Sequence, residues 1–508
     1  MSRILQSCRN FWCESPITAA GLLVDGDDYY RAFYEAAQKA EKYILLAGWQ
    51  FDADACLLRG AEVEGTTLPV TLLKYLDALC KRNENLRIYM LAWDFHAVFA
   101  LEREWMQEFR FNWITSDRLT FLFDSNHAEQ GSHHQKFVVI DGQLAFLGGI
   151  DLCDHRWDDR SHKDPNPLRL SRGEPHKPFH DVQAYLVGNE VSAKLRELFA
   201  CRWEGAGGEP LVLPEPTSGL ASYEPPGAVP LASSRVALSR TDPRGSPTKT
   251  ENCREICDLY LDAIAAAREL IYIETQYFSS REVGAALAER LRTSDRASLD
   301  VVLVLNMEAE TLKEEVAVGL AQASVIADLR KAVQGTQHRL GIYYTVPATE
   351  GDAEPARATY IHSKIMIVDD RFLTVGSANL TNRSTGLDTE LNLSVATDDA
   401  SDALGQSIAR ARDSLIAEHL GVSDTRSLYA TNLVASLDDL ARRRQGRLRL
   451  HPSPTENERA ALEVIDPQQL PFDPAAPEDQ DHRRSIFVGG IGALWRRFTS
   501  GTSGIVDN

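Results

Sequence analysis

The stretch HHQKFVVIDG at residues 133–142 recurs 228 positions later as IHSKIMIVDD at residues 361–370. In both copies a polar start leads into an apolar run, which is typical of a strand that is buried over most of its length. Because residues i and i+2 share a face of a strand, the His and Lys of each copy point the same way, into a cleft at the start of the strand. The aligned polar positions are His134 with His362, Lys136 with Lys364 and Asp141 with Asp369.

The same offset relates two further pairs of segments. FLGGIDL at 146–152 aligns with TVGSANL at 374–380, and EKYILLAGWQF at 41–51 aligns with ELIYIETQYFS at 269–279. Chance matches would not keep one offset across three blocks, so we interpret the chain as two copies of one unit. Strands alternate with helices in each copy, which favours mostly parallel sheets flanked by helices. We therefore predict an α/β fold in which two similar units pack pseudo-symmetrically around one active site. The predicted strands besides the His-Lys strands are 43–47, 86–93, 144–148, 270–275, 299–306 and 372–376.

Composition shifts set the predicted boundaries between these units. A first half at 1–203 and a second half at 234–450 each contain one His-Lys motif. Between them, 204–233 is rich in Pro, Gly and Ser and predicts a linker loop. We predict a partly disordered tail at 451–508, because it is rich in Pro and acidic residues before ending in HRRSIFVGGIGALWRRFTS at 482–500. That last stretch is either a foot on a membrane surface or a docking or frayed tail.

The charge of the chain limits its partners. Its 508 residues carry a formal net charge of −19, and the sequence pI is about 5.2. Nucleic-acid phosphates repel such a chain, so we expect no nucleic-acid partner, whereas a small phosphate pocket remains compatible with this charge. The start, MSRILQSCRNFWCESP, has no long apolar segment and does not predict a signal peptide. We expect a cytoplasmic or peripheral membrane protein, or one exported by a route that reads no N-terminal signal. Any protein partner remains open.

Two histidines and two lysines in one cleft suit transfer of a phosphodiester. The lysines and an amide neutralise and position the phosphate. One neutral imidazole attacks phosphorus, and the other, protonated, donates to the leaving alkoxide. The sequence contains neither H-E-x-x-H nor paired C-x-x-C, so we predict no metal and no cofactor.

The residues around the His-Lys strands have distinct predicted roles. Asp141 is an odd number of positions from His134 and lies at a turn, so we assign Asp141 and Asp369 structural roles. Glycines permit close approach of the backbone to a ligand, and polar residues follow them at matched distance in both copies. These motif glycines are Gly148, Gly149 and Gly376, and the polar groups predicted to bind the substrate phosphate are Asp151, Ser377 and Asn379.

The duplicated HxKxxxxD motif, followed by GGID and GSAN, resembles the phospholipase D superfamily. Three flanking segments are similar to phospholipases D of the eukaryotic type: HHQKFVVIDGQLAFLGGIDLCDHRWDD at 133–159, PFHDVQAYLVG at 178–188 and IYIETQYF at 271–278. The similarity covers roughly residues 25 to 420. One departure is that the core begins by about residue 25, so we expect this chain to lack the lipid-binding modules that precede the core in the eukaryotic enzymes.

The resemblance implies a two-step transfer through a covalent phosphohistidine. His134 resembles the nucleophile and His362 the general acid, although the near-symmetric sequence alone does not say which histidine attacks. The resemblance also implies a carboxylate behind each imidazole, and Asp181 and Glu390 match those positions. A carboxylate there fixes the tautomer of the imidazole and stabilises the imidazolium.

The expected activity is hydrolysis of glycerophospholipids in a membrane surface to phosphatidic acid and head alcohol, with phosphatidyl transfer to alcohols. Two alternatives share the chemistry. One is a cardiolipin-synthase-like phosphatidyltransferase, and the other is a metal-independent phosphodiesterase acting on nucleic acid. A non-catalytic lipid-binding protein is a fourth interpretation, which the two intact His-Lys pairs disfavour. The sequence does not specify the head group.

Overall fold

The structure is a computed structural model that describes residues 4–94, 110–112, 115–128, 131–243, 252–293, 297–307, 318–348, 357–425, 428, 432–453 and 473. The predicted tail, including the stretch at 482–500, lies outside these residues except for 451–453 and Asp473. Among the described helices, none is long and apolar enough to cross a bilayer.

The described part of the chain contains the following strands and helices. The strands are β1 Cys13–Pro16, β2 Ala19–Val24, β3 Tyr43–Gly48, β4 Arg87–Trp93, β5 Leu119–Asp124, β6 Phe137–Ile140, β7 Leu144–Gly148, β8 Leu170–Ser171, β9 Glu174–Pro175, β10 Phe179–His180, β11 Val182–Val187, β12 Val229–Pro230, β13 Arg235–Asp242, β14 Cys253–Arg254, β15 Leu270–Thr275, β16 Asp300–Val304, β17 Arg339–Thr345, β18 Tyr360–Ile361, β19 Lys364–Val368, β20 Phe372–Gly376, β21 Glu390–Ala396 and β22 Leu448–Leu450. The helices are α1 Asp25–Ala37, α2 Leu72–Arg82, α3 Asn189–Gly205, α4 Glu255–Ala266, α5 Arg281–Arg292, α6 Leu320–Val333, α7 Asn382–Gly386, α8 Ala403–Leu420 and α9 Leu433–Arg442, with 3-10 turns at Gly60–Val63 and Asp154–Arg156.

The two large sheets have one topology, which confirms the predicted pair of similar α/β units. The first sheet runs β12–β2–β11–β7–β6–β3–β4–β5. The second runs β1–β13–β21–β20–β19–β15–β16–β17–β22, with β14 beside β13. Removing the edge strands leaves seven strands in the same order in both sheets. The two His-Lys strands, β6 and β19, occupy the same central place.

The expectation of mostly parallel sheets is wrong. In the first sheet β3–β4 and β4–β5 are parallel, and the other described pairs are antiparallel. In the second sheet β15–β16 and β16–β17 are parallel, and the other described pairs are again antiparallel. The short turn that follows each His-Lys strand explains the antiparallel pairs β6–β7 and β19–β20, because a connection of a few residues can join only antiparallel neighbours.

The sheets and helices form five layers. Leu45 and Ala47 of β3 point into a central core that also contains residues of the second sheet and of α3 and α8. Their neighbours Ile44 and Leu46 point the other way, into a core with α1 and α2. The outer face of the second sheet packs against α4, α5 and α6. Strands buried on both faces explain the continuous apolar runs of the sequence.

Chain segments cross between the units at several places. β1 pairs with β13 of the second sheet, and β12, from the predicted linker, pairs with β2 of the first. The linker also packs on the first unit, where Tyr223 is buried and donates to the Ala32 carbonyl at 2.8 Å. β10 and β18 join the units as a parallel pair beside His362.

Candidate active site

Each motif histidine lies two or three residues before its strand, next to a segment of the other unit. The backbone N–H of His134 donates to the Thr389 carbonyl at 2.9 Å. The backbone N–H of His362 donates to the His180 carbonyl at 2.7 Å. Both histidines therefore lie where the two units meet, and the segment that follows each carbonyl supplies the next residue of the site.

That next residue is a buried carboxylate in both cases. His134 Nδ1 lies 2.9 Å from Glu390 Oε2, and His362 Nδ1 lies 2.6 Å from Asp181 Oδ2. Glu390 accepts a hydrogen bond from the Ser377 hydroxyl, and Asp181 accepts one from the Val182 N–H at 2.7 Å. Each unit thus orients the imidazole of the other, with Nδ1 donating to the carboxylate and Nε2 directed to the opposite side of the ring.

The two lysines lie beside the histidines with different partners. Lys136 Nζ is 3.0 Å from Asp151 Oδ2. Lys364 Nζ donates to Gln276 Oε1 at 3.0 Å and to the His362 carbonyl. Gln276 also accepts from Asn379 Nδ2 at 3.3 Å. An ion pair on one side and an amide network on the other therefore break the symmetry of the repeat.

Burial and charge shift the protonation of these groups. Burial first, and then the lysine cations, hold the pKa of both His134 and His362 well below the ordinary value. Burial raises the pKa of Asp181 to about 6 and that of Glu390 to about 7. Burial also lowers the pKa of Lys364 to about 7, with Lys136 acting in the same direction and Asp181 opposing it. The site therefore favours the arrival of an anion, which would stabilise the protonated histidines and lysines.

The glycine after β7 is required by the carboxylate behind it. A Cβ on Gly149 would lie 2.2 Å from Asp181 Oδ1, and one on Gly148 would lie 2.7 Å from the Gln183 backbone. In the second unit, a Cβ on Gly376 would collide with Asn392. The glycines thus let β11 and β21 come close enough to deliver their carboxylates.

Asp141 and Asp369 lie at the far end of the His-Lys strands. Asp141 accepts three backbone N–H groups at the start of β3, from Glu41 at 2.7 Å and from Lys42 and Tyr43 at 2.8 Å. Asp369 accepts three at 2.8 Å in the matching place before and at the start of β15. Both have a positive φ, of 50° and 53°. These contacts tie the turn after each His-Lys strand to the neighbouring strand, and they involve neither histidine.

The structure brings the remaining predicted residues together at the histidine end of the strands. They are His134, Lys136, His362, Lys364, Asp181, Glu390, Asp151, Ser377 and Asn379. A groove of about 960 Å³ contains none of these residues, because it lies around Asp369, Arg371 and Thr397 at the other end of the second sheet.

Sequence reasoning missed two residues of the site. Gln276 aligns with Gly48 under the repeat offset, so the repeat gave no signal for it. Arg156 lies over the Phe179 ring at 5.1 Å, and that ring is 5.2 Å from the His362 ring. Its charge contributes to the low pKa of His362. The position of Arg156 in the segment CDHRWDD, shortly after the first motif, could have indicated that it belongs to the site.

Comparisons with known proteins agree with this architecture. A family model described as "Phospholipase D" matches residues 36–227, and one described as "Cardiolipin synthase, PLD-like domain" matches 260–411. Each contains one His-Lys motif. The fold is also that of a phosphatidylserine synthase from Haemophilus influenzae Rd KW20, with a TM-score of 0.50 and 15% identity over 84% of this chain and 95% of that one.

Curated relatives include plant enzymes. Phospholipase D alpha 3 of Arabidopsis thaliana is 24% identical over 71% of this chain, and phospholipase D alpha 1 of Oryza sativa subsp. japonica is 26% identical over 71%. The alignments span 58% and 60% of the length of these relatives. With one family model on each half of the repeat and relatives that align across both halves, the chain belongs to the phospholipase D superfamily.

Proposed function

We propose that this protein is a phospholipase D that hydrolyses glycerophospholipids to phosphatidic acid and the head alcohol, and that also transfers the phosphatidyl group to alcohols. The observation that carries the proposal is the exchanged pair of dyads, His134 with Glu390 and His362 with Asp181. Each dyad combines a neutral, oriented imidazole with a buried carboxylate, which is the arrangement that nucleophilic and acid–base catalysis require.

In the first step, His134 Nε2 attacks phosphorus and a P–N bond forms. The P–O bond to the head alcohol breaks, and His362 donates its Nε2 proton to the leaving oxygen. The side chain of His134 is 17% exposed and that of His362 only 4%, which supports His134 as the residue that meets the substrate. The negative phosphate raises the pKa of His362, so that it carries the proton it must give.

In the second step, His362 accepts a proton from water or from an alcohol. The oxygen attacks phosphorus, the P–N bond breaks, and His134 returns to its neutral form. Water gives phosphatidic acid, and a primary alcohol gives a new phosphatidyl ester, because both compete for one covalent intermediate.

The phosphate-binding groups in this proposal are Lys136, Lys364 and Asn379. The buried Asn379 amide and the two ammonium groups donate to the phosphate oxygens. For Asp151 we propose a positioning role in place of the phosphate-binding role expected from the sequence, because a carboxylate repels phosphate. Its ion pair supports a role in positioning Lys136. Ser377 likewise acts through Glu390, to which its hydroxyl donates.

The test uses vesicles of phosphatidylcholine and phosphatidylethanolamine with EDTA present, with and without 1-butanol, and separates the lipid products by mass. We expect phosphatidic acid that gives way to phosphatidylbutanol. His134→Ala and His362→Ala should abolish both products, whereas the matched control His155→Ala should retain them. His155 lies half-buried at 3.6 Å from Asp52 and outside both dyads.

Three outcomes would redirect the proposal. Phosphatidic acid without any butanol product would contradict the covalent route. A joined lipid product without added alcohol would favour the phosphatidyltransferase alternative. If no lipid is turned over, degradation of single-stranded DNA that depends on His134 would favour the nucleic-acid alternative, which the net charge of −19 disfavours.

A further inference from the structure

A second cluster of histidines and carboxylates lies behind the dyads and takes no direct part in the proposed chemistry. Asp25, His162, His180 and Glu418 are all buried, and each presents one donor atom within 4.8 Å of the others. Asp25 begins α1, His162 follows the turn at Asp154–Arg156, and His180 ends β10. Glu418 comes from α8 of the second unit. The cluster therefore joins the two halves of the molecule.

The distances inside the cluster are those of a small coordination shell. His180 Nδ1 lies 2.7 Å from Glu418 Oε1 and 3.0 Å from Asp25 Oδ1. His162 Nε2 lies 3.1 Å from Glu418 Oε1 and 3.5 Å from Asp25 Oδ2. Ligand atoms around a tetrahedral Zn²⁺, with bonds of roughly 2.0 to 2.2 Å, are separated by about 3.3 Å. Three of the four observed separations are shorter than that value, so the donor atoms would move apart by up to about 0.6 Å around a bound ion.

Two of these atoms have no hydrogen-bond partner among the described residues. They are His180 Nδ1 and Asp25 Oδ2, on side chains that are 0% exposed. His180 Nδ1 lies within ion-pair distance of two carboxylate oxygens, one from Asp25 and one from Glu418. One cation bound by this nitrogen and by both carboxylates would satisfy all three groups. Buried polar atoms without such a partner are costly.

The groups behind the donor atoms also match a metal site. His162 Nδ1 donates a hydrogen bond to Asp158 Oδ2 at 2.9 Å. His180 Nε2 donates one to Glu274 Oε2, also at 2.9 Å. These contacts fix the tautomers that direct His162 Nε2 and His180 Nδ1 into the cluster. Carboxylates behind ligating histidines are a general feature of zinc sites. Glu418 is held in the same way, because its Oε2 accepts from Arg160 at 2.6 Å.

We propose that Asp25, His162, His180 and Glu418 bind one structural Zn²⁺ that fastens the two units together. Two imidazoles and two carboxylates as donors suit zinc better than Mg²⁺ or Ca²⁺, which prefer six or more oxygen ligands. Two neutral imidazoles and two carboxylates carry a charge of −2, which Zn²⁺ neutralises. Four protein ligands close the shell, as in structural rather than catalytic zinc sites.

The position of the site gives the metal a consequence for the dyads. His180 directly precedes Asp181, and the Asp181 N–H donates to Asp25 Oδ1 at 3.2 Å. The bound metal therefore fixes the backbone that carries the carboxylate behind His362. The metal makes no contact with the substrate phosphate in this proposal, so the proposal does not depend on the proposed lipid reaction.

The test measures metal in the full chain, purified from zinc-supplemented medium and dialysed against metal-free buffer. Elemental analysis should give roughly one zinc per chain, because a buried four-ligand site retains its metal. Protein grown with cobalt should show the visible absorption of tetrahedral Co²⁺ without an intense thiolate-to-cobalt band in the near ultraviolet. That spectrum excludes the eight free cysteines as ligands.

Conservative variants locate the metal. His162→Gln and Glu418→Gln should lose the zinc and lower Tm relative to the zinc-loaded chain. The matched control His338→Asn should keep it, because this buried histidine bonds to the Thr293 carbonyl and the Leu299 N–H, away from the cluster. If the variants do not fold, the zinc content and the cobalt spectrum of the wild-type chain still test whether the site binds a metal.

Zinc well below one per chain, with no rise in Tm on adding excess Zn²⁺, would overturn the proposal. So would a cobalt spectrum dominated by thiolate ligands. In the first case the cluster is a network of imidazolium–carboxylate ion pairs.

Discussion

The carboxylate behind His134 holds the imidazole that attacks phosphorus in the proposed chemistry. Glu390→Gln keeps the shape of the side chain but removes the charge that fixes the tautomer of His134. We expect a fall in kcat of about 10² to 10⁴-fold, since loss of an oriented acid–base group costs this much. Ser377→Ala, which removes only one hydrogen bond to Glu390, should cost less. Steady-state kinetics with a soluble phosphodiester measure both, and equal losses would contradict the assignment.

Gly149 offers a test that leaves every polar group in place. In Gly149→Ala the new Cβ would lie 2.2 Å from Asp181 Oδ1, so the carboxylate must move away from His362. We expect kcat to fall by about 10²-fold. Gly219→Ala is the matched control, because its Cβ would meet only Glu41 Oε1 at 3.5 Å. Full activity in Gly149→Ala would show that the Asp181–His362 bond is not needed.

Lys364 gives the site a pH dependence of known sign. Its pKa is lowered from 10.5 to about 7, so it is a cation only below about pH 7 in the free protein. Between pH 10.5 and about pH 7 the unfolded chain holds the Lys364 proton and the folded chain does not. The free energy of unfolding therefore falls as the pH is lowered through this range.

We expect kcat/KM for an anionic phosphodiester to decline above about pH 7, where Lys364 loses its charge. Lys364→Arg should move the decline to higher pH, because a guanidinium stays charged. An unchanged decline would exclude Lys364 as its source.

Sequence reasoning found the residues that the repeat duplicates, and the family resemblance added Asp181 and Glu390, which the repeat does not duplicate. His134, Lys136 and their second copies stand out because chance does not preserve a pair of motifs at one offset. Gln276 and Arg156 were missed because neither has a counterpart in the repeat. The cluster around His180 was missed for another reason: its members are far apart in the chain, and only the meeting of the two units brings them together.

Among the elements, the turn after each His-Lys strand carries a measurable share of stability. Asp141→Ala leaves three backbone N–H groups without their acceptor, and Asp141 is fully buried. We expect a loss of about 3 kcal/mol in the free energy of unfolding, taking about 1 kcal/mol for each bond. Asp369→Ala should lose less, because its turn is half-buried and water replaces part of the contacts. Denaturant unfolding measures both, and a loss of catalytic rate without a loss of stability would contradict the structural role.

Element positions were predicted better than their pairing. β3, β7, β15 and β20 begin where the apolar runs begin, and β4 and β16 differ from prediction by one or two residues at their ends. The predicted direction of pairing is wrong, because alternation of strands and helices favours parallel sheets, whereas most neighbouring strands here are antiparallel. The turn at Asp141–Gly142 indicates a hairpin, because a short connection can join only antiparallel strands. A parallel neighbour needs a long crossover connection.

For the molecule as a whole, the central feature is that each unit completes the other. The dyads combine His134 with Glu390 and His362 with Asp181, so neither unit alone holds a finished dyad. The repeat predicted that two units converge on one site. It did not predict that their carboxylates are exchanged, because the sequence spacing from histidine to carboxylate differs between the copies and carries no information on which partner is reached.

The most direct measurement traps the covalent intermediate. The substrate is a phospholipid whose head group is p-nitrophenol, which leaves without a proton from His362. In His362→Asn the first step should proceed while the second lacks its base, so a phosphatidyl adduct should accumulate. Mass spectrometry of the digested protein should find it on the peptide that contains His134, and His134→Asn should show none. An adduct on the peptide of residue 362 in the unchanged chain, or product formed with no adduct on either histidine, would contradict the account.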